Sequence, residues 1–396
     1  LGHLRRNKAR AGAIALFLAI ALLDELVDGI VSAAWPQIRT DLGLDYVQIG
    51  LILSVPGLAS VAIEPAIGIL GDVGHRRRLL VAGGIFYAIS LALFAISQGF
   101  PALLIAWLIF FPASGAFVSL SQASFMDIDL KRRAQNMARW NFSGSLGNVG
   151  GPLLLALAVA LAVGWRGAVF GCAVAAVLAL ALAIRLPARA LRPNPAHDAQ
   201  SVKQAVLTAI DALRRFDVAR WQVLLQASDL MLDLFKSFLT LYLVDVTGIS
   251  ETGAALVLAV WIGAGLLGDL VLIPLLDRVR PLRYLRISVV AVLLIYPAFL
   301  MAPNLALKLL LVGSLGFATA GWYPILQARA YASLPERSGT VVALGNIFGI
   351  TAAVLPLGLA WAAANWGLGF SMWLLVIGPI VVGIGTAFRP AREIAA

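Results

Sequence analysis

Three acids in one apolar stretch, Asp24, Glu25 and Asp28, are the first residues in this sequence whose types and spacing can do chemistry. A second set follows at Asp229, Asp233 and Lys236. Residues four apart on a helix share a face, so Asp24 pairs with Asp28 and Asp229 with Asp233, while Glu25 points about 100° away from Asp24. Lys236, three residues beyond Asp233, joins the second face and can neutralise either acid across a turn. Ionisable groups at membrane depth are costly and therefore point to function. Clustered carboxylates in a low dielectric resist simultaneous ionisation, which suits reversible proton binding. At least one of Asp24, Asp28, Asp229 and Asp233 is expected to be a proton-coupling site. The alternative is a static charge network that only holds helices together.

Other polar groups recur inside apolar runs. Glu64 precedes Pro65, whose ring frees a backbone carbonyl and permits a bend, and Asp269 stands in a comparable place later in the chain. These two either line a cavity or bind helices together. Arg139 and Arg329 lie near helix ends, where they can snorkel to the interface or pair with a carboxylate or an anionic substrate. Gln122, Asn141, Asn148, Gln327 and Asn346 are candidate cavity polar groups. Trp140, Trp261, Trp322 and Tyr323 can wall an apolar pocket, although aromatic residues also serve as lipid and packing contacts. Seven carboxylates (24, 25, 28, 64, 229, 233 and 269) face only Lys236 and the near-terminal Arg139 and Arg329. That balance favours a cationic, zwitterionic or amphiphilic solute, or protonation of several acids, over a sugar phosphate. Cys172 is the single cysteine, so no disulfide forms within the chain. His3, His75 and His197 all lie outside the apolar runs, which excludes an intramembrane histidine relay or a multi-histidine metal site.

These residues need elements to hold them. The chain has 396 residues, 61% of them hydrophobic and only 13% charged, too little polar surface for a soluble protein of this size. A bilayer core of roughly 30 Å needs about 20 apolar residues of helix. Twelve segments qualify: 11–34, 46–71, 79–98, 101–126, 134–163, 166–186, 219–246, 251–276, 283–303, 304–332, 338–364 and 367–388. The first has no small-residue cleavage site after a short apolar core, so it reads as a retained helix. The longest connection, 187–218, carries Pro187, Pro193 and Pro195 and divides the chain into 1–186 and 219–396, six helices on each side. Lys and Arg crowd one side: Arg5, Arg6, Lys8 and Arg10, then Arg76, Arg77 and Arg78, then Lys131, Arg132 and Arg133. The other side shows only Arg39, Arg166 and Lys308. The positive-inside rule then places both termini and the linker in the cytoplasm. The net charge of +10 is thus a topology signal, and no nucleic-acid partner is expected.

A repeat decides the architecture. At an offset of 205, Asp24 maps to Asp229, Asp28 to Asp233, Glu64 to Asp269, Asp72 to Asp277 and Gln122 to Gln327. Acids number only 20 in the whole chain, so four such matches argue for a duplicated six-helix unit. Parallel halves of this kind are one established transporter plan, with the substrate site near the midplane.

The loop after helix 2 carries Gly68, Asp72, Gly74, Arg76, Arg77 and Arg78 at a spacing that resembles the glycine–aspartate–glycine–basic motif of the major facilitator superfamily. A degenerate copy begins at Asp277. The resemblance implies an all-α integral membrane fold of twelve transmembrane helices in two pseudo-symmetric six-helix bundles, with helices 1 and 7 lining the transport path. It also implies that Gly68, Asp72, Gly74, Arg76, Arg78 and Asp277 form a conformational latch. Glycines there permit a tight turn and close helix approach. In helix 5, Gly147, Gly151 and Pro152 resemble the core of the antiporter motif of proton-coupled drug exporters. Ala138, Leu155 and Ala156 depart from the longer pattern, and the helix-4 region around Ala106, Trp107 and Leu108 lacks the family's cation. The N-terminal half is similar to bacterial drug-efflux members, including the fosmidomycin-resistance-like group.

The resemblance implies a secondary active transporter working by alternating access, most simply proton-coupled export of a small organic solute. The rivals are a proton-coupled importer or facilitator, a divalent-metal carrier, and a membrane receptor that does not transport. No glycine-rich lysine loop for nucleotide appears, and no nucleophile–base set marks an enzyme. The expected partners are a small-molecule substrate, protons and the lipid bilayer of a bacterial cytoplasmic membrane. A monomer is expected, with no resident cofactor or metal and the proton gradient as driving force.

Overall fold

The computed structural model describes residues 2–71, 75–128, 133–186, 216–276, 278–333 and 338–387. Asp72, Gly74, Asp277 and most of the 187–218 linker lie outside the described residues, as does the side chain of Asn346. Among the described residues every regular element is helical. The chain forms two compact units, Leu1–Gln200 and Ser201–Ala396.

In the first unit α1 spans Gly2–Leu42, α2 Tyr46–Leu70 and α3 Arg76–Ile96. Helix α4 runs Phe100–Ser114, passes through a π-turn at Gly115–Ser119, and resumes as Leu120–Asp127. Helices α5 (Arg133–Ala160) and α6 (Gly164–Ile184) complete the unit. In the second unit α7 runs Phe216–Asp229, a π-turn at Leu230–Leu234, and Phe235–Asp245. It is followed by α8 (Glu251–Leu276) and α9 (Pro281–Met301). Helix α10 is broken into Leu305–Thr319 and Trp322–Ser333, α11 spans Ser338–Trp366, and α12 is Leu368–Leu374 followed by Ile377–Ala387.

Among the described residues ten helices are long and apolar enough to cross a bilayer. The remaining long helical stretches, α1 and α7, carry the acid sets read from the sequence. Twelve spans are consistent with this arrangement. Helix starts follow local chemistry. The Asp45 carboxylate accepts from the Gln48 amide at 2.7 Å while the Gln48 side chain accepts from the Asp45 amide at 3.1 Å, a reciprocal capping box. Asn304 caps α10 by accepting from the Leu307 amide at 2.8 Å. The three cations assigned to the sparsely charged side are each engaged. Arg39 lies over the Tyr46 ring, Arg166 donates to the Ala95 and Ser97 carbonyls, and buried Lys308 donates to the Phe299 carbonyl.

The tightest crossing in the first unit is α1 on α5. Added Cβ atoms at Gly147 and Gly151 would run into α1 backbone, at the Leu22 carbonyl and, at 2.5 Å, the Ile30 amide nitrogen. From the other helix, a Cβ at Gly29 would stand 2.5 Å from the Asn148 carbonyl oxygen and 3.1 Å from the Pro152 ring. Small residues let helix backbones approach this closely. Ser143 tightens the same seam by donating to the Leu18 carbonyl at 2.8 Å.

Candidate functional site

That crossing places Asn148 at the acids of α1. The Asn148 amide group donates to Glu25 at 2.7 Å and reaches Asp28 at 3.3 Å. The helix-5 motif residues Gly147, Gly151 and Pro152 therefore act as the seat of the seam, and Asn148 is the group they deliver. The grouping of acids differs from the one expected from four-residue spacing. Glu25 and Asp28 converge on Asn148, while Asp24 turns to α4, where the Ser114 hydroxyl donates to it at 2.9 Å. The Tyr87 hydroxyl of α3 is buried and faces the Asp24 carboxylate. An aromatic layer backs this corner, with Phe110 between Tyr87 at 5.0 Å and Trp107 at 5.1 Å, centroid to centroid. Ser114 and Tyr87 were not singled out by sequence. The one signal for Ser114 was the small Ser114–Gly115 pair shortly after Pro112, and Tyr87 had none.

Glu64 sits on an exposed face of α2, where the Ser60 hydroxyl donates to it at 2.6 Å. Gln122 donates to the Met137 sulfur at 3.6 Å, Arg139 and Asn141 are exposed, and Trp140 is buried against Phe125. Of the latch, Arg76 is 3% exposed and pairs with Asp127 at the end of α4, Nη1 to Oδ2 at 2.8 Å. Arg77 donates to the Ile184 carbonyl and Arg78 is exposed. Gly68 does not serve close approach here: a Cβ on it meets nothing within 4 Å among the described residues, whereas one on Gly71 would stand 2.9 Å from Leu120. Sequence reading missed Asp127 because it lies next to the basic run 131–133 and reads as a loop charge.

Breaking the Arg76–Asp127 pair by Arg76→Ala should cost about 3 kcal/mol, the low end for a buried pair left with one charge, because Asp127 keeps 16% exposure. Thermal unfolding in detergent checks it against Arg78→Ala, for which a shift within about 0.5 kcal/mol is expected at an exposed site.

In the second unit the π-turn at Leu230–Leu234 starts directly after Asp229 and contains Asp233, which takes the two acids out of simple α-helical register. Asp229 is half-buried, Asp233 is exposed, and Lys236 is only 8% exposed, so the three occupy different environments. Asp233 still acts on Asp229 electrostatically. Trp261 stacks edge-on to Phe235 at 5.6 Å, and its indole nitrogen is buried with no partner among the described residues. Trp322 is fully buried and donates its indole N–H to Ser288, which makes it a core residue rather than a pocket wall. Tyr323 is exposed, Gln327 and Arg329 are half-buried, and Asp269 accepts from the Gly321 amide at 3.2 Å. Among the described residues no three His, Cys, Asp or Glu side chains are placed to hold one metal ion.

The sequence model of the Major Facilitator Superfamily matches residues 17–356. The chain belongs to that superfamily. It is an integral membrane transporter rather than an enzyme. Among curated proteins it is similar to the fosmidomycin resistance protein of Escherichia coli (strain K12), with 27% identity over 352 residues, covering 85% of this chain and 83% of the relative. Its fold matches the nucleoside transporter NupG, with a TM-score of 0.73 at 15% identity over 96% of this chain and 98% of that one. It also matches a bacterial homologue of the human lysosomal transporter Spinster in an inward-facing, unoccupied conformation, with a TM-score of 0.73 at 16% identity and 96% coverage of both chains. A D-xylose–proton symporter aligns with a TM-score of 0.71 at 15% identity, over 95% of this chain and 96% of that one. At such identities these structures speak to fold alone, and the fold is that of the superfamily.

Proposed function

We propose that this transporter moves a small cationic, zwitterionic or amphiphilic organic solute out of the cell by alternating access, with proton entry as the driving force. The observation that carries the reading is the Ser114–Asp24 hydrogen bond at 2.9 Å. A hydroxyl donates to a carboxylate and accepts from a carboxylic acid. Ser114 therefore serves Asp24 in both protonation states, and a proton can come and go without breaking the local geometry. Glu25, the next residue, and Asp28, one turn on, both held by Asn148, make full ionisation of the cluster costly. Support for the outward direction comes from a relative named for resistance to a drug. The distribution of basic residues supports placing both termini on the cytoplasmic side, and the Escherichia coli relative supports a bacterial inner membrane.

Purified protein in liposomes, with an imposed pH gradient and a panel of organic cations and zwitterions identified by thermal shift, tests the proposal. Gradient-driven flux of at least one panel member is the expected result. Asp24, Asp28, Asp229 and Asp233 are then neutralised one at a time to Asn. Undiminished gradient-driven flux in all four variants would sink proton coupling at these sites.

A further inference from the structure

Helices α4 and α10 are both irregular, and at corresponding places in the repeat. The π-turn of α4 begins at Gly115, which maps to Ala320 at the offset of 205, and Ala320–Gly321 is where α10 breaks. In each unit the same repeated acid meets the irregularity. Glu64 of α2 lies on Gly115, and Asp269 of α8 on Gly321.

The α10 break has a complete physical account. Ala320 is extended, with ψ of 138°, and Gly321 has φ of +77°, in the region that favours glycine. Pro324 has no N–H, so the Ala320 carbonyl lacks its helical donor. The Tyr284 hydroxyl replaces it, donating at 2.9 Å. The Gly321 amide, turned out of the helix, donates to Asp269 Oδ1 at 3.2 Å. Gly268, next to Asp269, lets α8 press onto the break: a Cβ there would stand 2.6 Å from the Ala320 Cβ. The Ala320 carbonyl and the Gly321 amide are thus taken up by side chains, as is the Ala318 carbonyl by the Ser288 hydroxyl, which irregular backbone at membrane depth requires.

The α4 turn is held differently. Pro112 removes one helical donor just before it. Gly115 offers an open face on which the Glu64 side chain lies, and a Cβ there would stand 2.8 Å from Glu64 Cγ and 2.9 Å from Oε1. Its neighbour Ser114 donates to Asp24. The turn is therefore held between an acid of α1 and an acid of α2, with no main-chain group bonded directly to Glu64 among the described contacts.

We infer that Glu64 and Asp269 are positioning residues for two matched hinges, one in each repeat, and that the α10 hinge is the more firmly clasped. Asp269 acts as a hydrogen-bond acceptor for the Gly321 amide. Its charge is secondary to that role. Hinges absorb backbone rotation at a few residues where elements end, and π-turns concentrate at working sites.

Amide hydrogen exchange of the segment 317–325 in lipid nanodiscs tests this without substrate or pH gradient, so its result is independent of the coupling proposal above. Asp269→Ala removes the acceptor, and exchange of this segment is expected to quicken about five- to tenfold, the loss of one hydrogen bond. Asp269→Asn keeps an acceptor oxygen and is expected to stay within about threefold of the parent protein. Tyr284→Phe removes the clasp on the carbonyl side, leaves Asp269 in place, and is expected to quicken exchange of the same segment. It decides the matter if Asp269→Ala does not fold. Parent-like exchange in both Asp269→Ala and Tyr284→Phe overturns the hinge assignment. Equal acceleration by Asp269→Asn and Asp269→Ala overturns it too, because the carboxylate charge would then be what the segment needs.

Discussion

Asp24→Asn is expected to lower pH-gradient-driven flux by about tenfold or more, roughly 1.4 kcal/mol on the transport cycle, while the protein stays folded. The substitution is nearly isosteric. An Asn oxygen still accepts from Ser114, which holds Asp24 at 2.9 Å, so the contact between α1 and α4 survives. What disappears is the capacity to bind and release a proton. Counterflow, in which labelled solute exchanges against unlabelled solute with no gradient, separates the two roles. A coupling site predicts that counterflow persists when gradient-driven accumulation is lost. A purely structural carboxylate predicts that both fall together, and that result would retire Asp24 as the coupling group. Glu25→Gln and Asp28→Asn are expected to be milder. Asn148 donates to both acids, so either can hold it when the other is neutralised.

The contrast among these acids shows where sequence reasoning stops. Four-residue spacing joined Asp24 to Asp28 because it treats a helix as a cylinder with faces. Which face matters depends on what approaches, and Asn148 approaches between Glu25 and Asp28 because Gly147 and Gly151 admit α5 there. Most segment positions were legible because apolar length is set by the bilayer, although α1 runs Gly2–Leu42 where 11–34 was expected. The breaks inside those segments were not. Sequence reading gave 101–126 and 304–332 as single spans and did not locate an irregularity in them, whereas α4 carries a π-turn and α10 breaks at Ala320–Gly321. Gly115 and Gly321 are two of 37 glycines, and composition does not distinguish them from the rest. The repeat did carry the information indirectly. Glu64 and Asp269 were paired by offset before it was visible that each lies on a break. Trp322 failed as a pocket residue for a related reason: its indole N–H is spent on Ser288, a partner 34 residues away that no local pattern reveals.

Gly147→Ala is expected to be the most damaging conservative change in the first unit, and the reason is that its obstacle is backbone. A Cβ at Gly147 would run into the Leu22 carbonyl oxygen and stand 2.9 Å from the Leu26 amide nitrogen. A side-chain tip can swing aside, but these atoms move only if α1 moves. Overpacking typically costs 1–3 kcal/mol, and a clash with helix backbone belongs at about 3 kcal/mol. Separation of α1 from α5 also withdraws Asn148 from Glu25 and Asp28, so transport is expected to fall with stability. Two neighbours in type calibrate the claim. Gly150→Ala meets only the Leu26 Cδ1 at 3.3 Å, a flexible group, and a shift within about 0.5 kcal/mol is expected. Gly171→Ala, inside α6, meets nothing within 4 Å and is expected to gain about 0.5–1 kcal/mol from helix propensity alone. Thermal unfolding of the three variants in one detergent should therefore rank Gly171→Ala above the parent, Gly150→Ala beside it and Gly147→Ala well below. If Gly147→Ala unfolded at the same temperature as Gly171→Ala, the α1–α5 seam would not be a backbone contact, and the placement of Asn148 at the acids would lose its support.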